Sequence, residues 1–155
     1  MYKQLLNLSE IFFRNQGKTL HYLDNHEWKM EVVFGEVTVS LGAIKVVWNL
    51  CYIYNLFYST FLANVPPETP FINLNKRPDV VQFLNDRRNE IKCFFKSIKE
   101  GSPLKTIDDS IHMENQKFVE KNNFWISNKT ASYALLFLLL HEYSHTIYEK
   151  NNVDD

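Results

Sequence analysis

The sequence has little of what several large classes of protein require. It carries no basic excess: 17 Lys and Arg stand against 18 Asp and Glu, for a formal net charge of −1 and a pI near 6.5. Nucleic-acid binding draws on the neutralisation of phosphates by clustered cations, so no nucleic acid is expected as a partner. It has only two cysteines, Cys51 and Cys93, with neither a CxxC spacing nor a paired framework. Both fall inside apolar helical patterns and read as buried free thiols, which suits a reducing cytoplasm. The N-terminal MYKQLLNLSEIFFRNQGK lacks a continuous apolar core and a small-residue cleavage site, so no secretory leader is expected. A long uninterrupted apolar run is also missing. The nearest approach, Ala43 to Ala63, is broken by Lys45, Asn49, Asn55, Ser59 and Thr60 and reads as a buried helix rather than a membrane span. There is no internal repeat and no low-complexity tract. At 155 residues, the chain is expected to form a single domain over 1–155, long enough to bury a sizeable core.

What is present suggests helices and a small sheet. Leu5, Leu6, Leu8, Ile11, Phe12 and Phe13 make a helical start. Over Glu31 to Leu41, Val37, Val39 and Leu41 alternate with Glu36, Thr38 and Ser40, the period of a strand with one wet face. From Ala43 to Ala63 the run is too long for a strand and is closed by Pro66-Pro67, which predicts a central helix. Pro78 suits a first helical position, Gly101 a C-terminal cap and Pro103 the residue beyond, so a second helix is expected over 78–100. Its apolar face comprises Val80, Val81, Leu84, Ile91, Phe94, Phe95 and Ile98. Residues 102–123 read as a polar connection, with Ile107, Ile111, Phe118 and Val119 as possible strand anchors, and Phe124-Trp125-Ile126 as a further short strand. Ser127, Asn128 or Thr130 is expected to cap a last helix running through Ala131, Leu135, Leu136, Leu138, Leu139 and Leu140.

That last helix carries the chemistry. His141-Glu142-Tyr143-Ser144-His145 is an HExxH motif. Residues four apart on a helix share a face, so His141 and His145 can offer two imidazoles to one zinc ion, with Glu142 beside them. Zinc lowers the pKa of a water towards neutrality and polarises a scissile carbonyl, while Glu142 takes the proton and passes it to the leaving amine. With five His and eleven Glu, chance alone places such a pattern in about one chain in a hundred of this composition, so its context matters. The competing reading is a solvated helix end with no metal, since His and Glu are ordinary residues there.

A catalytic zinc site generally has three protein ligands and a water. In the variant with a glycine turn after the second His, Tyr148 stands in place of the glycine and Asn151 in place of the third ligand, which excludes it. A ligand on a following helix needs more chain than the ten residues after His145. The remaining candidates are Glu149, Asp154, Asp155 and His112, none at a distinctive spacing, or a donor supplied by further chain or a partner. His21 and His26 read as surface residues. A phenol or hydroxyl near the metal, from Tyr143, Ser144 or Tyr148, could donate to an oxyanion, although Tyr143 is expected to point away from the ligand face and Tyr148 to be a partly buried aromatic. Phe124 and Trp125 could form an edge on which an extended substrate pairs, but core is their simpler role.

The segment ASYALLFLLLHEYSHTIYEK, with the upstream VTVSLGAIKVVWNLCYIY, resembles the phage-exclusion (Lit-like) metallopeptidases of the zincin class. The resemblance covers the middle and end of the chain. It implies a cytoplasmic, zinc-dependent endopeptidase acting on a host protein in defence against phage, with His141 and His145 as metal ligands and Glu142 as the catalytic residue. It also implies a chain that continues well past Asp155. The expectation is therefore an α+β domain of zincin type, with a small mixed sheet from about 31–41 and 123–127 on three main helices and the motif on the last. Its partner is a protein or peptide substrate, with no membrane. The alternative is a catalytically incomplete zincin-fold interaction or regulatory module that lacks a third ligand.

Overall fold

The computed structural model describes residues 2–33, 36–63, 73, 76–100, 102 and 118–151. It is an α+β arrangement of a small three-stranded sheet and several helices. Two short N-terminal helices, α1 (Tyr2–Leu5) and α2 (Asn7–Asn15), lead into β1 (Leu20–Leu23). α2 is stopped at Gly17, whose φ of +67° is the left-handed conformation that glycine adopts without penalty. The N–H of Gly17 donates to Arg14 O at 3.0 Å and that of Lys18 to Phe13 O at 2.8 Å, the paired bonds of a Schellman ending.

Two further strands follow, β2 (Met30–Val33) and β3 (Glu36–Ser40). The sheet has the order β1-β3-β2, with β1 parallel and β2 antiparallel to the central β3, and is therefore mixed. Val37 and Val39 are buried and Glu36 is exposed, as the alternation in the sequence requires, but Ser40, expected on the wet face, is buried as well. The expected strand over 31–41 is thus two strands, and β1 is one that the sequence reading did not contain.

β3 passes directly into α3 (Leu41–Phe57), and Ser40 holds the junction. Its Oγ caps the helix by accepting from Ala43 N (3.1 Å), also accepts from Lys29 N (3.0 Å), and donates to Glu27 O (2.6 Å). The 25–29 loop is thereby fastened across the start of α3, and Gly42 N adds a bond to Asn25 O at 2.9 Å. α3 continues as a π-helical turn, Tyr58–Leu62, in which Ala63 N reaches Tyr58 O at 2.8 Å. Together these two elements span the expected central helix. Next comes α4 (Pro78–Lys99), whose start is as the proline predicted; Gly101 and Pro103 lie outside the described residues. The Arg77 guanidinium grips the Asp79 carboxylate through two bonds of 2.9 and 3.0 Å and holds that carboxyl below its ordinary range.

The last element is α5 (Phe118–Asn151), 34 residues and about 50 Å long at 1.5 Å per residue. It corrects several expectations. Residues 123–127, including Phe124-Trp125-Ile126, are helical rather than a strand, and so are Phe118 and Val119; Ile107 and Ile111 lie outside the described residues. The reason is a row at four-residue spacing, Asn123, Ser127, Ala131, Leu135 and Leu139, all buried, which forms one continuous helical face. Ser127 and Thr130 do not cap the helix but donate back to Asn123 O (2.6 Å) and Ile126 O (2.9 Å) within it.

α5 lies along α3 and across β2, with α1 and α2 beside it, and this packing makes the main core. Trp48 of α3 is fully buried at its centre, stacked on Tyr52 at 5.2 Å and edge-on to Phe124. Its indole N–H donates to Asn128 Oδ1 at 2.7 Å, and Asn55 Nδ2 donates to Ser127 Oγ at 3.1 Å, whereas the buried Nδ2 of Asn123, one turn earlier on α5, has no partner among the described residues. Cys51 is partly buried, and burial pushes its thiol up to about 11. Cys93, expected to be buried, is exposed, because α4 turns its neighbour Phe94 inward instead. Among the described residues, no helix is long and apolar enough to cross a membrane.

Candidate functional site

The HExxH residues occupy consecutive positions of α5. Helical geometry explains their different environments. His141 follows the buried Leu139 by two residues, about 200° around the axis, and is exposed. Glu142 is seven residues beyond Leu135 and three beyond Leu139, so it stays near the core-facing side and is half-buried. His145 returns to the His141 face one turn later and is also exposed. Tyr143 is turned away, as expected: its ring meets Phe13 edge-on at 5.7 Å and packs against the core. Ser144 Oγ donates to His141 O at 2.7 Å, so its hydroxyl is engaged by its own helix.

The two imidazoles come together. Their ring centres are 4.6 Å apart at 84°, and Nε2 of His141 lies 3.1 Å from Nε2 of His145. Two nitrogens at this separation, each about 2.0–2.1 Å from one zinc ion, subtend about 100° at it, close to tetrahedral. The same distance is also that of a hydrogen bond in which one Nε2–H donates to the bare Nε2 of the other ring. The two states differ in tautomer, since ligation requires both Nε2 atoms to be bare.

The pair therefore fits two positions of a zinc site. Among the described residues, no group of three or more His, Cys, Asp or Glu could hold a metal ion. Glu149 belongs to α5, one turn beyond His145, whereas His112, Asp154 and Asp155 lie outside the described residues. His21 is exposed on β1, 3.9 Å from Glu36 on the neighbouring strand, a separation at which a surface pair contributes little. His26 is half-buried rather than a plain surface residue; its Nδ1 is shut off from solvent with no hydrogen-bond partner among the described residues.

Among the described residues, surface grooves lie elsewhere. One, of about 470 Å³, runs between α1 and the start of α2 on one side and the N-terminal half of α5 on the other, and includes Leu5, Leu8, Phe124, Trp125 and Tyr133. Phe124 is core, as its simpler role required, but Trp125 is 70% exposed and forms part of this groove's wall. Another, of about 510 Å³, lies between α3 and α4. Neither groove includes His141, Glu142 or His145; both imidazoles are exposed and Glu142 is half-buried. The sequence reading identified neither groove; the exposed apolar residues of α4 and α5 were the available signal. Comparison of the chain with protein-family models, curated proteins and solved structures gave no match.

Proposed function

We propose that this protein is a zinc-dependent endopeptidase of zincin type that hydrolyses a peptide bond of a cytoplasmic protein substrate, in the manner of the phage-exclusion metallopeptidases it resembles. The observation that supports this most directly is the 3.1 Å approach of two exposed imidazole nitrogens on one helix face, with a carboxylate on the intervening turn. His141 and His145 would hold the ion through Nε2. Zinc, when bound, supplies Lewis-acid activation of a water and of the scissile carbonyl. Glu142 takes the proton from the attacking water and delivers it to the departing amine. Its half-buried position favours that part, since a carboxylate turned towards the core side stays close to the helix surface instead of swinging freely into solvent.

The alternative is a binding or regulatory module whose HExxH helix holds no zinc. It is favoured by the 3.1 Å separation of the two exposed Nε2 atoms, which also suits a hydrogen bond between the rings with no metal. Substitution Glu142→Gln separates the two. A peptidase retains its zinc in this variant and loses cleavage of dye-quenched casein by at least about a hundredfold, the scale of general acid–base catalysis. Wild-type protein that carries zinc but has no cleavage that Glu142→Gln abolishes would favour the module.

A further inference from the structure

The groove between α3 and α4 has walls of one kind and a rim of another. On α3, Leu50, Tyr54 and Phe57 succeed one another at i, i+4 and i+7; on α4, Leu84 and Ile91 stand seven apart. Leu84 is 41% and Tyr54 59% exposed, a large apolar surface left open to water. Among the described residues, every charged residue lining the groove is a cation: Arg87, Arg88 and Lys92. Arg87 is held by Glu90 at 2.8 Å and lies over Phe83, 5.5 Å from the ring centre. Its Nε is shut off from solvent and has no acceptor among the described residues. Arg88 and Lys92 are exposed, pair with no described acid, and stand four residues apart on one flank of α4.

From this arrangement we infer that the α3–α4 groove is a docking site for an acidic amphipathic helix of a partner protein. The length from Leu84 to Lys92 is about 12 Å, two helical turns, so a third helix laid against α3 and α4 matches the dimensions of the groove. Its apolar residues at i, i+3, i+4 and i+7 enter between Tyr54 and Leu84. Carboxylates spaced i, i+4 on its flank meet Arg88 and Lys92, whose own i, i+4 spacing matches theirs. A single-headed amphiphile such as an alkyl carboxylate satisfies one of these two cations and leaves the other unanswered. The inference does not depend on the zinc-peptidase proposal, because the groove includes no residue of the HExxH motif.

Fluorescence anisotropy of a dye-labelled probe tests it. The probe is an amphipathic peptide of about three turns with Leu at i, i+3, i+4 and i+7 and Glu at i, i+4 along one flank; the control carries Lys in place of Glu. The Glu peptide is expected to bind wild-type protein and the Lys peptide to bind at least about tenfold more weakly. Arg88→Glu with Lys92→Glu weakens the Glu peptide by about tenfold or more, and Leu84→Ser weakens it through the apolar wall. Both variants alter exposed side chains, so the same thermal unfolding midpoint as wild type shows that the fold is intact. Equal binding of the two peptides, or unchanged binding in the double-charge variant, overturns the inference. So does failure of both peptides to bind, including where phosphatidylglycerol vesicles bind instead, which would make the face a membrane contact.

Discussion

Glycine inside a helix ordinarily invites replacement by alanine, with a gain of about 1 kcal/mol. Gly42, in the first turn of α3, is expected to behave in the opposite way. A Cβ at this position would fall onto the backbone carbonyl oxygens of His26 and Glu27, and backbone cannot step aside as a side-chain tip can. The 25–29 loop would have to move, and it is tied down by Gly42 N to Asn25 O (2.9 Å), Ser40 N to Lys29 O (2.8 Å) and the two bonds of Ser40 Oγ with Lys29 N and Glu27 O. Overpacking costs about 1–3 kcal/mol, and each of these bonds is worth about 0.5–1.5 kcal/mol. With two bonds lost and the helix gain set against them, Gly42→Ala is expected to destabilise by about 1–5 kcal/mol, centred on about 3 kcal/mol or roughly 10 °C in the unfolding midpoint. Circular dichroism melts and urea titrations measure it. Gly17→Ala is the control: nothing lies within 4 Å of its added Cβ, so its cost is only the left-handed backbone, about 1 kcal/mol. A Gly42→Ala variant as stable as wild type would refute the account of how the loop sits on α3.

Other outcomes follow from the core and the thiols. Asn128→Leu leaves the buried Trp48 N–H without its 2.7 Å acceptor and is expected to lower stability by about 1–3 kcal/mol, measured by urea unfolding. Leu135→Ala, at a fully buried position in the main core, is expected to cost about 2–5 kcal/mol in the same assay. At neutral pH, iodoacetamide should label the exposed Cys93 in the native protein and Cys51 only after denaturation, as peptide mass spectrometry would show. Because the Cys51 thiol is pushed up to about 11 by burial, its contribution to stability is complete below the ordinary thiol range and declines as pH rises from there through about 11. A Cys51→Ser variant should therefore show less loss of stability between pH 8 and pH 11 than wild type.

The elements most legible in the sequence were those whose punctuation and apolar pattern agreed. α4 begins at its proline, and the residues from Leu41 to Leu62 form the central helical stretch that their length demanded. The N-terminal half of α5 was not legible because its buried row begins with Asn123 and Ser127. Polar residues on a core face look like a connection until the partners that satisfy them are known, and here the partner of Ser127 is Asn55, 72 residues earlier in the chain. Reading the row at four-residue intervals back from Leu139 would have exposed it. β1 was hidden for a different reason: four residues between a helix ending and a loop carry too little periodicity to distinguish strand from coil. The Schellman ending at Gly17 was the local clue that the chain turns there.

At the candidate site, the pairing of His141 with His145 was legible because helical spacing alone enforces it, as was the turn of Tyr143 away from the ligand face. The exposure of both imidazoles was not, because it depends on what packs beside the end of α5, and that is decided by tertiary contacts. Nor could composition reveal the cationic rim of the α3–α4 groove, since Asp86, Arg87, Arg88 and Asn89 read in sequence as an ordinary solvated patch of mixed sign.

The central claim, that His141 and His145 ligate one zinc ion, is tested most directly by elemental analysis of protein purified without added metal or chelator. About one zinc per chain in the wild type, lost in His141→Ala and in His145→Ala, is the result expected of a HExxH site. No zinc in the wild type, or a zinc content unchanged by both substitutions, would contradict it.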